Sequence, residues 1–217
     1  MQVRNSNRFI LATAVAVVTA GLGSAAFGQY NSSNNIYIVS NGSDRVQVYD
    51  GGGNSPGSHV YSIPLNSGAT QYGITYDHQN TSAFYVLENN TIRTFWDNNG
   101  TPLYGPTWNI GYQGYDITYN NSELFVTARD NKVKVYDAYT GALKRNMTIG
   151  NASALHGIDV DWRSGRTSEL TTGDWNRSAG GQRINQSDGG LQTEAFWGAS
   201  GGLNYLYNHY GHMWSPS

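Results

Sequence analysis

Short runs of alternating apolar and polar residues recur along the chain, and they recur in a fixed order. The first run is Gly73-Ile74-Thr75-Tyr76-Asp77, seen again as Asp116-Ile117-Thr118-Tyr119 and as Gly157-Ile158-Asp159-Val160-Asp161. Its isoleucines stand 43 and 41 residues apart, and a weaker copy, Gly202-Leu203-Asn204-Tyr205, lies 45 residues further on. The second run is short and apolar: Ile36 to Val39, Ala83 to Leu87, Leu124 to Ala128. The third is Arg45-Val46-Gln47-Val48-Tyr49-Asp50, then Ile92-Arg93-Thr94-Phe95-Trp96-Asp97, then Lys132-Val133-Lys134-Val135-Tyr136-Asp137. A fourth follows each of these: His59 to Leu65, Leu103 to Ile110, Ala142 to Ile149. Period-two alternation of β-branched and aromatic residues, punctuated by Gly, Asn and Asp, predicts half-buried antiparallel strands. Asp137-Ala138-Tyr139-Thr140-Gly141 predicts a turn between two of them, with Gly where a positive φ is needed. Asp97-Asn98-Asn99-Gly100 predicts the same turn one unit earlier. Each unit therefore holds about four strands in roughly 42 residues.

These units resemble β-propeller repeats of the NHL and YVTN kinds. The likeness is best over residues 114–149, where Asp116-Ile117-Thr118-Tyr119, Leu124-Phe125-Val126, Asp130 to Asp137 and Thr140-Gly141 follow one another in that order. It covers about residues 36–198 and weakens toward the end, where strands near Ser168 to Thr172 and Gln182 to Asn185 are expected. The fold expected is all-β: a propeller of about four blades of four antiparallel strands, either a small closed ring or a partial propeller. The blades are expected at about 36–66, 72–110, 114–150 and 156–198, within a repeat domain spanning 29–217. The first unit lacks an opening strand, and Leu203 to Tyr207, in the segment 202–217, is the candidate to complete it and remove the open strand edges; the competing readings are a partial propeller completed by association and a fragment of a longer propeller.

Composition narrows the class. Charged residues make up 13% of the chain and aromatics another 13%, with 27 Gly in 217 residues. So few charges and so much Gly argue against a helical bundle, and a formal charge of −2 argues against a basic nucleic-acid binder. Arg4 and Arg8 followed by an uncharged stretch from Phe9 to Leu22 form a secretory leader pattern, too short to span a membrane, which needs about 20 residues. Ala26 and Gly28 suit a cleavage site before Gln29, making residues 1–28 a signal peptide of bacterial character. Its loss removes two arginines and no acid, taking the formal charge from −2 to −4. The expected location is outside the cytoplasm, secreted or periplasmic, with no membrane span. There is no Cys, which excludes disulfides and thiolate chemistry. Ten Asn-x-Ser/Thr triplets occur, beginning at Asn31, Asn41, Asn80, Asn89, Asn99, Asn120, Asn146, Asn151, Asn176 and Asn185. In so Asn-rich a chain they are better explained as turn chemistry than as glycosylation sites.

Candidate chemistry gathers in the turns between the second and third strands. Each carries an acid: Asp44, Glu88, Asp130 and Asp174, spaced 44, 42 and 44 residues apart. Around a propeller axis these carboxylates form a rough ring that could attract a cation, calcium being the candidate although no cofactor is expected, or accept hydrogen bonds from sugar hydroxyls. The competing role is local: an Asp capping its own turn through backbone N–H groups. Trp108, Trp162, Trp175, Trp197 and Trp214, with Tyr112, Tyr205, Tyr207 and Tyr210, crowd the later half; stacking on sugar rings competes with packing between blades. Trp175 beside Asp174, and Trp162 just after a strand, are the ones expected to be exposed. His209 and His212 have a metal-binding spacing but no third ligand nearby. Nucleophile-elbow, phosphate-loop and zinc-protease motifs are missing. The function expected is non-catalytic binding through the loop face to an extracellular glycan or a surface protein, or self-association. A propeller-type polysaccharide lyase or hydrolase, and a self-assembling surface or filament subunit, are the alternatives.

Overall fold

The computed structural model describes residues 26–30, 35–40, 43–51, 57–128, 130–150, 152–160, 169–174, 182–193, 206–208 and 212–214, with the backbone alone at 26–30, 40, 174, 193, 206–208 and 212–214. Among them all regular structure is strand. Four antiparallel four-stranded sheets follow one another along the chain, each meandering in sequence order. The first holds β1 (Ala26–Tyr30), β2 (Asn35–Ser40), β3 (Arg45–Asp50) and β4 (His59–Pro64). The second holds β5 (Gln71–Tyr76), β6 (Phe84–Glu88), β7 (Thr91–Asn98) and β8 (Thr101–Asn109). The third holds β9 (Gly114–Asn120), β10 (Glu123–Ala128), β11 (Lys132–Asp137) and β12 (Leu143–Thr148). The fourth holds β13 (Leu155–Val160), β14 (Glu169–Asp174), β15 (Gln182–Asn185) and β16 (Leu191–Thr193). The first strands β1, β5, β9 and β13 pack side by side in succession, which makes the sheets the blades of a four-blade β-propeller.

Alternation along the strands explains why blades stack. On β6, Phe84 and Val86 enter a cluster with Tyr37, Val39, Val48 and Ile63 of the first blade. Their neighbours Tyr85 and Leu87 point to the other face and pack with Ile117, Tyr119, Leu124 and Val126 of the third. Phe125, between Leu124 and Val126, joins Val133, Met147, Leu155, Ile158, Leu170 and Ile184 at the seam with the fourth. Successive side chains of a strand point to opposite faces, so a fully apolar second strand feeds two seams at once. Each such side chain contributes roughly 1.5–3 kcal/mol on burial. Aromatic rings tie the seams further: Tyr37 lies 4.3 Å from Phe84, and Tyr85 stacks on Tyr119 and on Trp108.

Two findings depart from expectation. The inner strand of the first blade is Ala26–Tyr30, paired with β2 from Ala26↔Ser40 to Tyr30↔Ile36, rather than Leu203 to Tyr207. Instead β17 (Leu206–Asn208) forms a hairpin with β18 (His212–Trp214). β17 lies against β13 and β14, as β13 lies against β9 and β10, and β9 against β5 and β6. The C-terminal hairpin thus lies against the first and second strands of the fourth blade, as each blade lies against those of the blade before it. The expected cleavage point before Gln29 falls within β1.

Candidate functional site

Among the described residues, the turns between second and third strands lie against the links between blades: Leu65 N donates to the Asp44 carbonyl, Gly114 N to that of Asn89 and Leu155 N to that of Asp130. Asp44 stands just before β3 with φ 49°, a left-handed conformation that Asp tolerates. Its carboxylate accepts hydrogen bonds from the Ser67 amide at 3.0 Å, the Ser67 hydroxyl at 2.8 Å and the Gly68 amide at 3.0 Å. Its own amide donates to Oε1 of Gln71, the first residue of the next blade's inner strand. Burial opposes its charge, but the hydrogen bonds from Ser67 and Gly68 outweigh that and hold the carboxyl below its ordinary value. Asp44 therefore caps the link between the first two blades.

Glu88 closes β6 and is only 2% exposed. It is paired with Arg93 Nε at 3.2 Å across the same hairpin. Burial pushes its carboxyl up, Arg93 offsets this in part, and the nearby negative charge of Asp44 adds to the rise. Asp44 and Glu88 are thus brought together at one seam, with Arg93 between them electrostatically. Asp130 belongs to a different seam. Its Oδ1 accepts from the Lys132 amide at 2.8 Å, and its backbone carbonyl accepts from the Leu155 amide that starts β13. Leu155 is also the register partner of Asp174, so the start of β13 links these two acids through backbone. Beside them the Lys134 ammonium lies 3.3 Å from the Tyr112 ring centroid. Burial lowers the pKa of Lys134, against the attraction of Asp130.

The acids hold equivalent places, and each described carboxylate is engaged by its own turn or seam. Trp108 is interblade packing: it stacks on Tyr85 and covers Gly141, where a Cβ would overlap the indole. Tyr112 is half-buried against the same cluster. Trp162, Trp175, Trp197, Tyr205, Tyr210 and His209 lie outside the described residues, and for Asp174, Tyr207, His212 and Trp214 the backbone alone is described. Among the described residues no three His, Asp or Glu side chains group so as to hold a metal.

A cross-blade cluster went unforeseen. Tyr37 and Tyr61 of the first blade donate to Oδ2 of Asp97 in the second, at 2.7 and 2.5 Å, while Asp97 Oδ1 accepts from Gly100 N. Burial and the Asp97 charge push Tyr61 up to about 12, and Tyr37 higher still. The sequence carried half of this signal: Asp97 was legible as a turn residue, its phenolic partners were not.

The geometry places the chain in the β-propeller class. Among solved structures the same architecture appears in the glutaminyl cyclase of Myxococcus xanthus, at TM-score 0.60 and 11% identity, covering 78% of this chain and 68% of that one. It also appears in Raptor of Chaetomium thermophilum, at TM-score 0.58 and 12% identity, over 84% of this chain but 17% of that one. At such identities the likeness is one of fold. No protein-family model matches the chain, and comparison with curated proteins finds no match.

Proposed function

We propose that the chain is a secreted, NHL- or YVTN-like propeller that works by binding, its loop end contacting an extracellular glycan or a surface protein. The observation that carries this reading is the equivalence of the acids. Asp44, Glu88, Asp130 and Asp174 stand at the junction of second and third strands in successive blades, so an acid recurs at the same place in each blade. The strands are consumed by their ladders, whereas turns are free to meet a partner. Trp175 and Trp162, at the borders of the fourth blade's strands, supply aromatic faces for sugar stacking in this reading. A calcium ion bridging loop carboxylates is compatible with it.

A glycan array probed with the wild type and with Trp175→Ala tests the proposal. Binding that Trp175→Ala weakens at least tenfold supports the loop end as a glycan site. Equal binding by both proteins removes Trp175 from it, and no binding on the array leaves a protein partner as the remaining form of the proposal, to be tested by crosslinking through residues beside Asp130. Turnover of a polysaccharide would replace binding by lyase or hydrolase chemistry. The architecture accommodates catalysis, since one structural neighbour is named as a glutaminyl cyclase.

A further inference from the structure

The inner strands of the second, third and fourth blades share one irregularity. Each inserts an extra residue against its neighbouring second strand: Tyr72 between the pairs Gln71↔Glu88 and Gly73↔Leu87, Tyr115 between Gly114↔Ala128 and Asp116↔Thr127, and His156 between Leu155↔Asp174 and Gly157↔Gly173. A bulge of this kind takes its extra side chain out of the strand's alternation and re-aims it. All three extra residues carry a ring. The bulge itself does not demand one: the outer strands of the first, third and fourth blades are bulged near their starts too, and there the extra residues are Val60, Lys144 and Gln192. The rings meet across the blades, Tyr72 and Tyr115 at 5.5 Å between centroids and Tyr115 and His156 at 4.8 Å, tilted rather than stacked. All three residues are half-buried and keep contact with solvent. Gln113, exposed in the link before β9, donates through Nε2 to the Tyr72 hydroxyl at 2.7 Å and so fixes that ring from the next blade. The row lies at the starts of β5, β9 and β13. There Asn89 N donates to the Thr70 carbonyl, Gly114 N to that of Asn89 and Leu155 N to that of Asp130, so the row borders the acid-bearing turns.

We propose that this row of rings on the inner strands is the platform on which a neutral oligosaccharide stacks. The inference rests on the glycan form of the loop-end reading and moves the sugar contact from the tryptophans to the inner strands. The occupant follows from what the row offers. Ring faces suit the C–H face of a pyranose, while the phenols, the imidazole and the Gln113 carboxamide offer donors and acceptors to the hydroxyls at its edge. The charges beside the row are matched: Glu88 is paired with Arg93 at 3.2 Å, and Asp130 favours the charge of Lys134. Such matching favours a ligand without net charge, since an ionic one would find no field of a single sign to complement. A row that crosses three blades suits a chain of sugar units better than a single unit.

The probes are malto-, cello-, manno- and chito-oligosaccharides of one to four units, with sulfated and N-deacetylated counterparts, titrated into the full chain and followed by saturation-transfer NMR. The expected result is that a neutral tetrasaccharide binds at least tenfold more tightly than its monosaccharide and receives saturation at its pyranose C–H positions. Tyr115→Phe keeps the ring and is expected to keep the affinity. Tyr115→Leu keeps apolar bulk without a ring face and is expected to weaken binding at least tenfold, with Tm and circular dichroism showing a folded protein. Gln113→Ala, a change at an exposed residue, releases the Tyr72 ring and is expected to weaken binding several-fold; it decides the matter if Tyr115→Leu does not fold. Binding by no neutral probe, tighter binding of a charged counterpart, or full affinity in folded Tyr115→Leu overturns the proposal. Full affinity in Tyr115→Leu together with loss in Trp175→Ala overturns this inference alone and keeps the loop-end reading, whereas binding of no glycan of any charge removes this inference and the glycan form of that reading together.

Discussion

Asp97 ties the first two blades together through its side chain. It takes three hydrogen bonds, two of them from the phenols of the preceding blade. Hydrogen bonds to a charged group contribute roughly 1.5–3 kcal/mol each, less where water competes. Asp97→Ala is therefore expected to destabilise the protein by about 2–3 kcal/mol in urea denaturation, and Tyr37→Phe by about 1 kcal/mol; values near those of a neutral surface change would remove the cluster from the account. Asp116 acts in the opposite sense. It is 3% exposed and accepts the backbone amides of Ile117 and Ile158, the latter on the next blade. Burial still dominates and pushes its carboxyl well above the ordinary value. A raised carboxylate pKa means the folded state holds the proton more tightly than the unfolded chain. Its contribution is thus most favourable in acid and is lost as pH rises from about 4 through the folded value. Asp77 and Glu123 run the other way, held low by hydrogen bonds from Thr81 and Asn80 and from Arg145 and Lys144 that outweigh their burial, so their contribution is lost as pH falls through the acid range. Stability curves for the wild type and Asp116→Asn between pH 4 and pH 8 are expected to converge toward the variant's favour as pH rises. A difference that does not change with pH would mean that Asp116 stays protonated, or stays charged, throughout.

At the level of elements, the turn between third and fourth strands explains why certain glycines are required. In the third blade Asp137 Oδ1 accepts from the amides of Tyr139 and Thr140, and Gly141 at φ 69° closes the turn against Trp108. The fourth blade repeats it: Asn185 Oδ1 accepts from Ser187, and Gly189 N donates to the Asn185 carbonyl. The first copy was legible from Asp137 and Gly141. The second was hidden because Asn replaces Asp, although the four-residue spacing to Gly was the same. Gly141→Ala is expected to lower stability by about 2–4 kcal/mol, the sum of left-handed strain and overlap with the indole. Gly68→Ala, at φ 62° with nothing within 4 Å, carries the strain alone and is expected to cost about 1–2 kcal/mol. Equal thermal shifts for the two would show that Trp108 yields. The positive-φ positions also account for much of the Asn content: Asn66, Asn89, Asn99 and Asn121 all adopt left-handed turn conformations, and two of them begin glycosylation triplets. The acids of the loop end were legible as turn residues by spacing. Their use was not, since Asp44 is engaged by Ser67 and Gly68, which only the fold brings near.

Across the whole molecule, the second strands β6 and β10 are covered on both faces while outer strands are not. Every residue of β6 is buried, whereas β8 and β12 leave Leu103 and Leu143 exposed by 59% and 53%. Amide exchange is expected to be slowest along β6 and β10 and fastest along β8, β12 and β16; uniform protection would contradict blades held mainly by their seams. On the proposal that residues 1–28 form a secretory leader, the full chain expressed in a secreting bacterial host is expected to begin at Gln29 by N-terminal sequencing, and an intact N-terminus would overturn it. That cut would shorten the strand Ala26–Tyr30 and open part of the β2 edge. The blade rhythm and the alternation that divides Phe84 and Val86 from Tyr85 and Leu87 were present in the linear order of residues, because strand formation and facing depend on neighbours one and two positions away. Which segment fills the inner place of the first blade, and which acids spend their oxygens on a cap, depended on residues tens of positions apart. Any alternating segment can take an empty ladder edge, so only packing among the blades selects between them.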